Sequence, residues 1–156
     1  MIEPPNDFVA TLKAKIIDSL PKPVFQVPLA ESEYLHRYRD LDIAPMTDEF
    51  EWWCGGRDSQ ALIGFSQASI AVSVYYIFWA IHTPMACEDR HETLTIADLP
   101  QDLAQASAIV KKQLRAAGKI RRAQFDNCNA CGKRQAPEHC QGDVCHQCME
   151  SRGFVF

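Results

Sequence analysis

Two Cys-x-x-Cys pairs near the end of the chain limit its fold more than any other feature. They are Cys128 with Cys131 and Cys145 with Cys148, and thirteen residues separate them. Two thiolates three positions apart can grip one ion from a single tight turn, and two such pairs complete a tetrahedron. Gly132 follows the first pair directly, where a side chain would crowd a backbone folding over sulfur. One or two helical turns should begin at the second pair, continue through residues 149–152 and stop at Gly153. The expected ligands are therefore Cys128, Cys131, Cys145 and Cys148. Four thiolates leave no open coordination position, so the expected ion is a structural Zn2+. So short a segment buries no core of its own. Metal binding then supplies its folding energy, on the order of 10–16 kcal/mol.

Three more potential ligands, His139, Cys140 and His146, lie nearby. One of them can replace a member of a pair, and the others would be spectators or outer partners of the ligands. An iron centre of the rubredoxin kind uses the same four sulfurs. The chain has seven cysteines, an odd number, and starts with an acidic, proline-rich stretch rather than a basic and then apolar leader. Both features point to a reducing compartment, and the cytoplasm is the expected location.

The net charge of −4 hides a division. Residues 1–110 carry seven Lys/Arg against sixteen Asp/Glu, whereas residues 111–156 carry nine against four. Lys111, Lys112, Arg115, Lys119, Arg121, Arg122, Lys133 and Arg134 fall in a stretch whose only acid is Asp126. Such asymmetry suits a polyanionic partner, although a charge run is often no more than a solvated face.

The body ahead of the cysteines is long enough to bury a core. Phe8, Leu12, Ile16 and Leu20 recur every four residues, which predicts a first helix capped by Asn6 and ended by Pro21 and Pro23. Residues 24–28 suit a short strand. Ser32 should cap a second short helix bearing Tyr34, Leu35, Tyr38 and Leu41, followed by a loop at residues 42–47. Residues 48–54 suit a strand or a short helix, and Gly55-Gly56 a turn. Residues 61–81 contain no charge. They have the length of a membrane span, but the serines within them and the lack of flanking basic residues argue against one. A buried helix is a further possibility. The density of β-branched and aromatic residues from 70 onward favours a buried strand, with a hairpin partner near residues 62–65. A strand is expected at residues 91–96. A helix should begin with a capping box at Asp98 and Gln101, and Leu99, Leu103, Ala106, Val110, Leu114 and Ala117 should line its apolar side. Gly118 is expected to stop it in a left-handed conformation, and residues 119–125 to lead as a strand into the first cysteine pair.

The run Cys128-Asn129-Ala130-Cys131-Gly132-Lys133-Arg134-Gln135, with Asp143-Val144-Cys145-His146-Gln147-Cys148-Met149-Glu150 after it, resembles a short treble-clef or zinc-ribbon module. Its first knuckle is similar to that of the zinc-binding domain at the start of the ClpX unfoldase. The resemblance implies one pair on a knuckle, the other on the first turn of a helix, and a role in recognising nucleic acid or protein. It covers about a fifth of the chain and implies nothing for the rest.

A second constellation, Cys54, His82, Cys87 and His91, surrounds the apolar run. It can be a metal site or a Cys–His nucleophile pair, although buried cysteines more often act as small hydrophobes. Trp52, Trp53, Tyr75, Tyr76 and Trp79 can stack bases from a sheet face or fill a core. No glycine-rich phosphate loop, Gly-x-Ser-x-Gly elbow or His-Glu-x-x-His motif occurs. The expected fold class is α+β: a small sheet with flanking helices over residues 1–120, and a zinc module over residues 121–156. The leading functional expectation is a non-enzymatic nucleic-acid-binding or transcription-associated protein, with the eight cations above contacting phosphate. A protein-binding adaptor or inhibitor, and a small enzyme using the second constellation, are the alternatives. A membrane partner is not expected.

Overall fold

The computed structural model describes residues 6–27, 49–56, 61–80 and 83–153. The helix expected from Ser32, the loop at 42–47 and His82 lie outside these residues.

A five-stranded antiparallel sheet in the order β1-β2-β3-β4-β5 forms the centre. Its strands are β1 (Val24–Gln26), β2 (Glu51–Gly55), β3 (Ala61–Phe65), β4 (Ser69–Ala80) and β5 (Thr83–Thr95). The uncharged run is thus two strands of one hairpin. Phe65 pairs with Ile70 across its turn, where the Ser66 hydroxyl accepts the Ser69 N–H at 3.0 Å. Among the described residues no helix is long and apolar enough to cross a membrane. Residues 51–55, left open between strand and helix, are a strand. The tryptophans divide accordingly: Trp52 is buried in the core, while Trp53 is half-buried and donates to Glu51 Oε1 at 2.8 Å.

Strand β5 begins eight residues before the expected start at His91. Its middle holds Glu88, Asp89 and Arg90, to which the sequence alone assigns no element. On an edge strand such charges are tolerated and discourage pairing with other chains. His91 is the extra residue of a bulge, since Val72 pairs with Glu92 and Ser73 with Arg90.

Two helices cover one face of the sheet. Helix α1 (Asn6–Ser19) includes Asn6 itself and buries Leu12 and Ile16 against Ile63, Phe65, Ile70, Ala106 and Val110. Helix α2 (Leu103–Ala123) differs from expectation at both ends. Residues 96–98 form a separate 3-10 turn, and Asp102 is the true cap, accepting the Gln105 N–H at 2.9 Å. Gly118 does not stop the helix, which runs five residues further. A glycine inside a helix costs about 1 kcal/mol. The buried contacts of Arg121 in the last turn outweigh that, and residues 119–123 are helix rather than strand. The opposite face of the sheet buries Trp52, Cys54, Leu62 and Ala71.

The long β4–β5 hairpin projects past β3, whose pairing with β4 ends at Ala61 and Val74. The edge left on β4 meets the cysteine-bearing segment. That segment consists of β6 (Asp126–Asn127) paired with β7 (Arg134–Gln135), then a 3-10 turn at Pro137–His139. It ends with β8 (Cys140–Gln141) paired with β9 (Val144–Cys145) and the short α3 (His146–Ser151).

Candidate metal centre

The knuckle between β6 and β7 is held by its own backbone. Gly132 N–H donates to the Cys128 carbonyl at 2.8 Å, and Cys128 N–H to the Lys133 carbonyl at 2.9 Å. Gly132 takes φ +74°, the conformation that calls for glycine there. Asn129 N–H donates to the Asp143 carbonyl at 2.8 Å, and its side chain bonds the Asp143 carboxylate. These bonds dock the knuckle on the turn between β8 and β9. Cys145 stands at the N-cap of α3 and Cys148 in its first turn, before Gly153 at φ +88°.

All four sulfurs are thereby brought together, each offering an atom within 4.8 Å of the others. Cys128 and Cys148 sulfurs lie 3.9 Å apart, as do those of Cys131 and Cys145. A tetrahedron with metal–sulfur bonds of about 2.3 Å has edges of about 3.8 Å, so the donor set fits one tetrahedral ion. His139, Cys140 and His146 are not part of this group.

The N–H groups of Cys145 and Ala130 each point at the Cys128 sulfur from 3.3 Å. The hydrogen bond from Cys145, followed by that from Cys131, holds the Cys128 thiol down to about 6. Cys148 moves the other way, to about 12, first through its hydrogen bond with Cys145 and then through burial. Metal-free, the cluster thus pairs a ready thiolate with a reluctant one. A divalent cation reverses the second preference by replacing its proton.

One carboxylate that the sequence reading passed over joins the segment to the body. Glu138 forms an ion pair with Arg121, and its oxygen also faces the Ile77 N–H at 3.4 Å on the free edge of β4. Its backbone carbonyl accepts the Trp79 Nε1–H at 2.9 Å, and the Trp79 ring lies edge-on to His139 and His146. The available signal was an acid placed just beyond a cationic stretch.

Arg121 therefore leaves the expected cationic face. It is 3% exposed, bonded to Glu138 and Gln124, and stacked over Phe125. Lys112, Arg115, Lys119, Arg122, Lys133 and Arg134 are exposed, and Lys111 is half-buried. Arg134 Nη2 donates to the Arg122 carbonyl at 2.5 Å, which sets the knuckle's cations beside those of the helix.

Of the second constellation, Cys54, Cys87 and His91 are kept apart. Cys54 on β2 and Cys87 on β5 are separated by β3 and β4, about 14 Å at the usual strand spacing. Both are fully buried. Cys54 donates to the Ala61 carbonyl, burial pushes the Cys87 thiol up, and His91 bonds Gln113 of α2 at 3.1 Å.

Comparison with protein-family models, with curated proteins and with solved structures found no match to this chain.

Proposed function

We propose that this chain is a non-enzymatic nucleic-acid-binding protein whose C-terminal module is shaped by a structural Zn2+. Cys128, Cys131, Cys145 and Cys148 hold the ion, and a coordination sphere of four thiolates gives it no catalytic position. In this reading residues 121–156 are the metal-organised module and residues 1–120 its scaffold. A reducing cytoplasm keeps the sulfurs available.

The observation that carries the reading is the bond between Arg134 and the Arg122 carbonyl. It ties Arg134 of the knuckle to the last turn of α2, and in this reading Lys133 and Arg134 act with Lys112, Arg115, Lys119 and Arg122 as one surface. Such a surface binds phosphate by releasing counterions. If about five of these cations contact phosphate, log affinity falls with log salt at a slope of about −4 to −5.

The test is fluorescence anisotropy with a short DNA duplex and an RNA of equal length across salt. A Lys119→Ala/Lys133→Ala/Arg134→Ala variant should flatten the slope by about three, at roughly 0.9 per contact. Binding to neither nucleic acid, or binding insensitive to salt, removes the proposal. A protein complex that resists nuclease and needs the intact knuckle would establish the adaptor reading instead.

A further inference from the structure

A cleft of about 360 Å³ opens between the C-terminal end of α1, the ends of β2 and β3, and the outer side of α2. Lys111, Arg115 and Arg122 line it, a stripe of α2 at intervals of four and seven residues. Leu20, Pro21 and Leu114 supply apolar wall. No carboxylate lines it among the described residues, and none of the three cations has an ion-pair partner there.

The cleft is built by close backbone approach. At Gly55 a Cβ would sit 2.5 Å from the Pro21 carbonyl oxygen, so the end of β2 presses directly on the end of α1. At Gly118 the nearest atom to a Cβ is Arg122 Nη1, at 3.1 Å. The exposed Arg122 guanidinium therefore lies beside the bare backbone at Gly118. Three positive charges converge on a space at the small end of ligand pockets.

We propose that this cleft binds a phosphate monoester. The charge count selects the class. A phosphodiester carries one negative charge, whereas a terminal phosphate carries about −1.5 to −2 at neutral pH and three acceptor oxygens. Two arginine forks and one ammonium match the second better, and charge-assisted bonds to phosphate favour arginine. The apolar wall leaves room for a small body attached to the phosphate. The inference shares two cations, Arg115 and Arg122, with the proposed nucleic-acid surface, but it needs only this cleft.

The phosphate has two possible sources, the phosphorylated end of a nucleic-acid strand and a free phosphorylated metabolite. The probe is phenyl phosphate, a monoester with a small apolar body, titrated by calorimetry into the full, metal-loaded chain. One saturable site is expected. Arg115→Gln and Arg122→Gln should each weaken it at least about tenfold, as loss of a charge-assisted bond does. Gly118→Leu should also block it, because it fills the floor and removes no charge. Lys133→Ala/Arg134→Ala should leave it within about twofold. That result separates the cleft from the wider surface: phenyl phosphate binding without any oligonucleotide binding retains the cleft and removes the nucleic-acid proposal. Oligonucleotides with 5′-phosphate and 5′-hydroxyl ends then identify the source. A preference of about tenfold for the phosphorylated end assigns the cleft to strand ends, and equal affinity assigns it to a free metabolite. Absence of saturable phenyl phosphate binding overturns the inference. So does a loss of stability in the arginine variants with unchanged affinity, which would mean that the cations only offset the carbonyl end of α1.

Discussion

Replacing Glu138 by alanine removes the carboxylate that meets Arg121 but keeps the backbone carbonyl that accepts the Trp79 indole. The arginine is 3% exposed and its Nε has no partner among the described residues, so the change strands a buried charge. Breaking a buried pair from one side costs about 3–5 kcal/mol. Gln124 and the Phe125 ring retain part of the guanidinium's interactions, which places the cost near the lower figure. For a chain of this size about 3 kcal/mol lowers the melting temperature by roughly 6–12 °C. The assay is thermal and urea denaturation of the metal-loaded protein, read by circular dichroism. The double replacement Arg121→Met/Glu138→Leu should recover most of the loss, because a hydrophobic pair of similar volume has no charge to desolvate. A Glu138→Ala variant within about 1 kcal/mol of wild type would refute the buried pair as the join between module and sheet. Equal damage from the double replacement would refute the charge argument.

Two further outcomes follow from local geometry. Gly64→Ala should destabilise the body by about 1–3 kcal/mol in urea titration, since its Cβ would lie 2.9 Å from Phe50 and the Trp52 ring with no flexible group to yield. Chelation or acid should free Trp79 from Glu138, shifting its emission to the red, and Trp79→Phe should abolish the shift. Cys128 titrates at about 6 without metal, so its thiolate is present above that value and is lost as pH falls through it. Metal affinity should therefore weaken on acidification and strengthen on alkalisation.

The features legible from sequence were those decided locally. The cysteine spacing, Gly132 and Gly153 encode a knuckle and a short helix with little help from the rest of the chain. The α1 stripe and the β-branched density of β4 report burial directly. The errors share another cause. Gly118 reads as a stop because propensity says so, yet the docking of Arg121 three residues later carries the helix through it. Asp98 and Gln101 mimic a cap, but Asp102 provides the one that forms. The first part of β5 is missed because a strand at a sheet edge needs no apolar alternation on its solvent side. Arg121 looked like one more surface cation, and only tertiary packing shows that Glu138 takes it out of solvent. The charge run of residues 111–134 hid a division between one buried, paired arginine and seven cations that are exposed or half-buried.

Native mass spectrometry of the purified, reduced chain weighs the metal directly. One zinc ion per chain is expected in the wild type, and none in Cys145→Ser, whose module should also lose its hydrogen-exchange protection. A metal-free wild type with residues 126–151 fully protected from exchange would contradict the account.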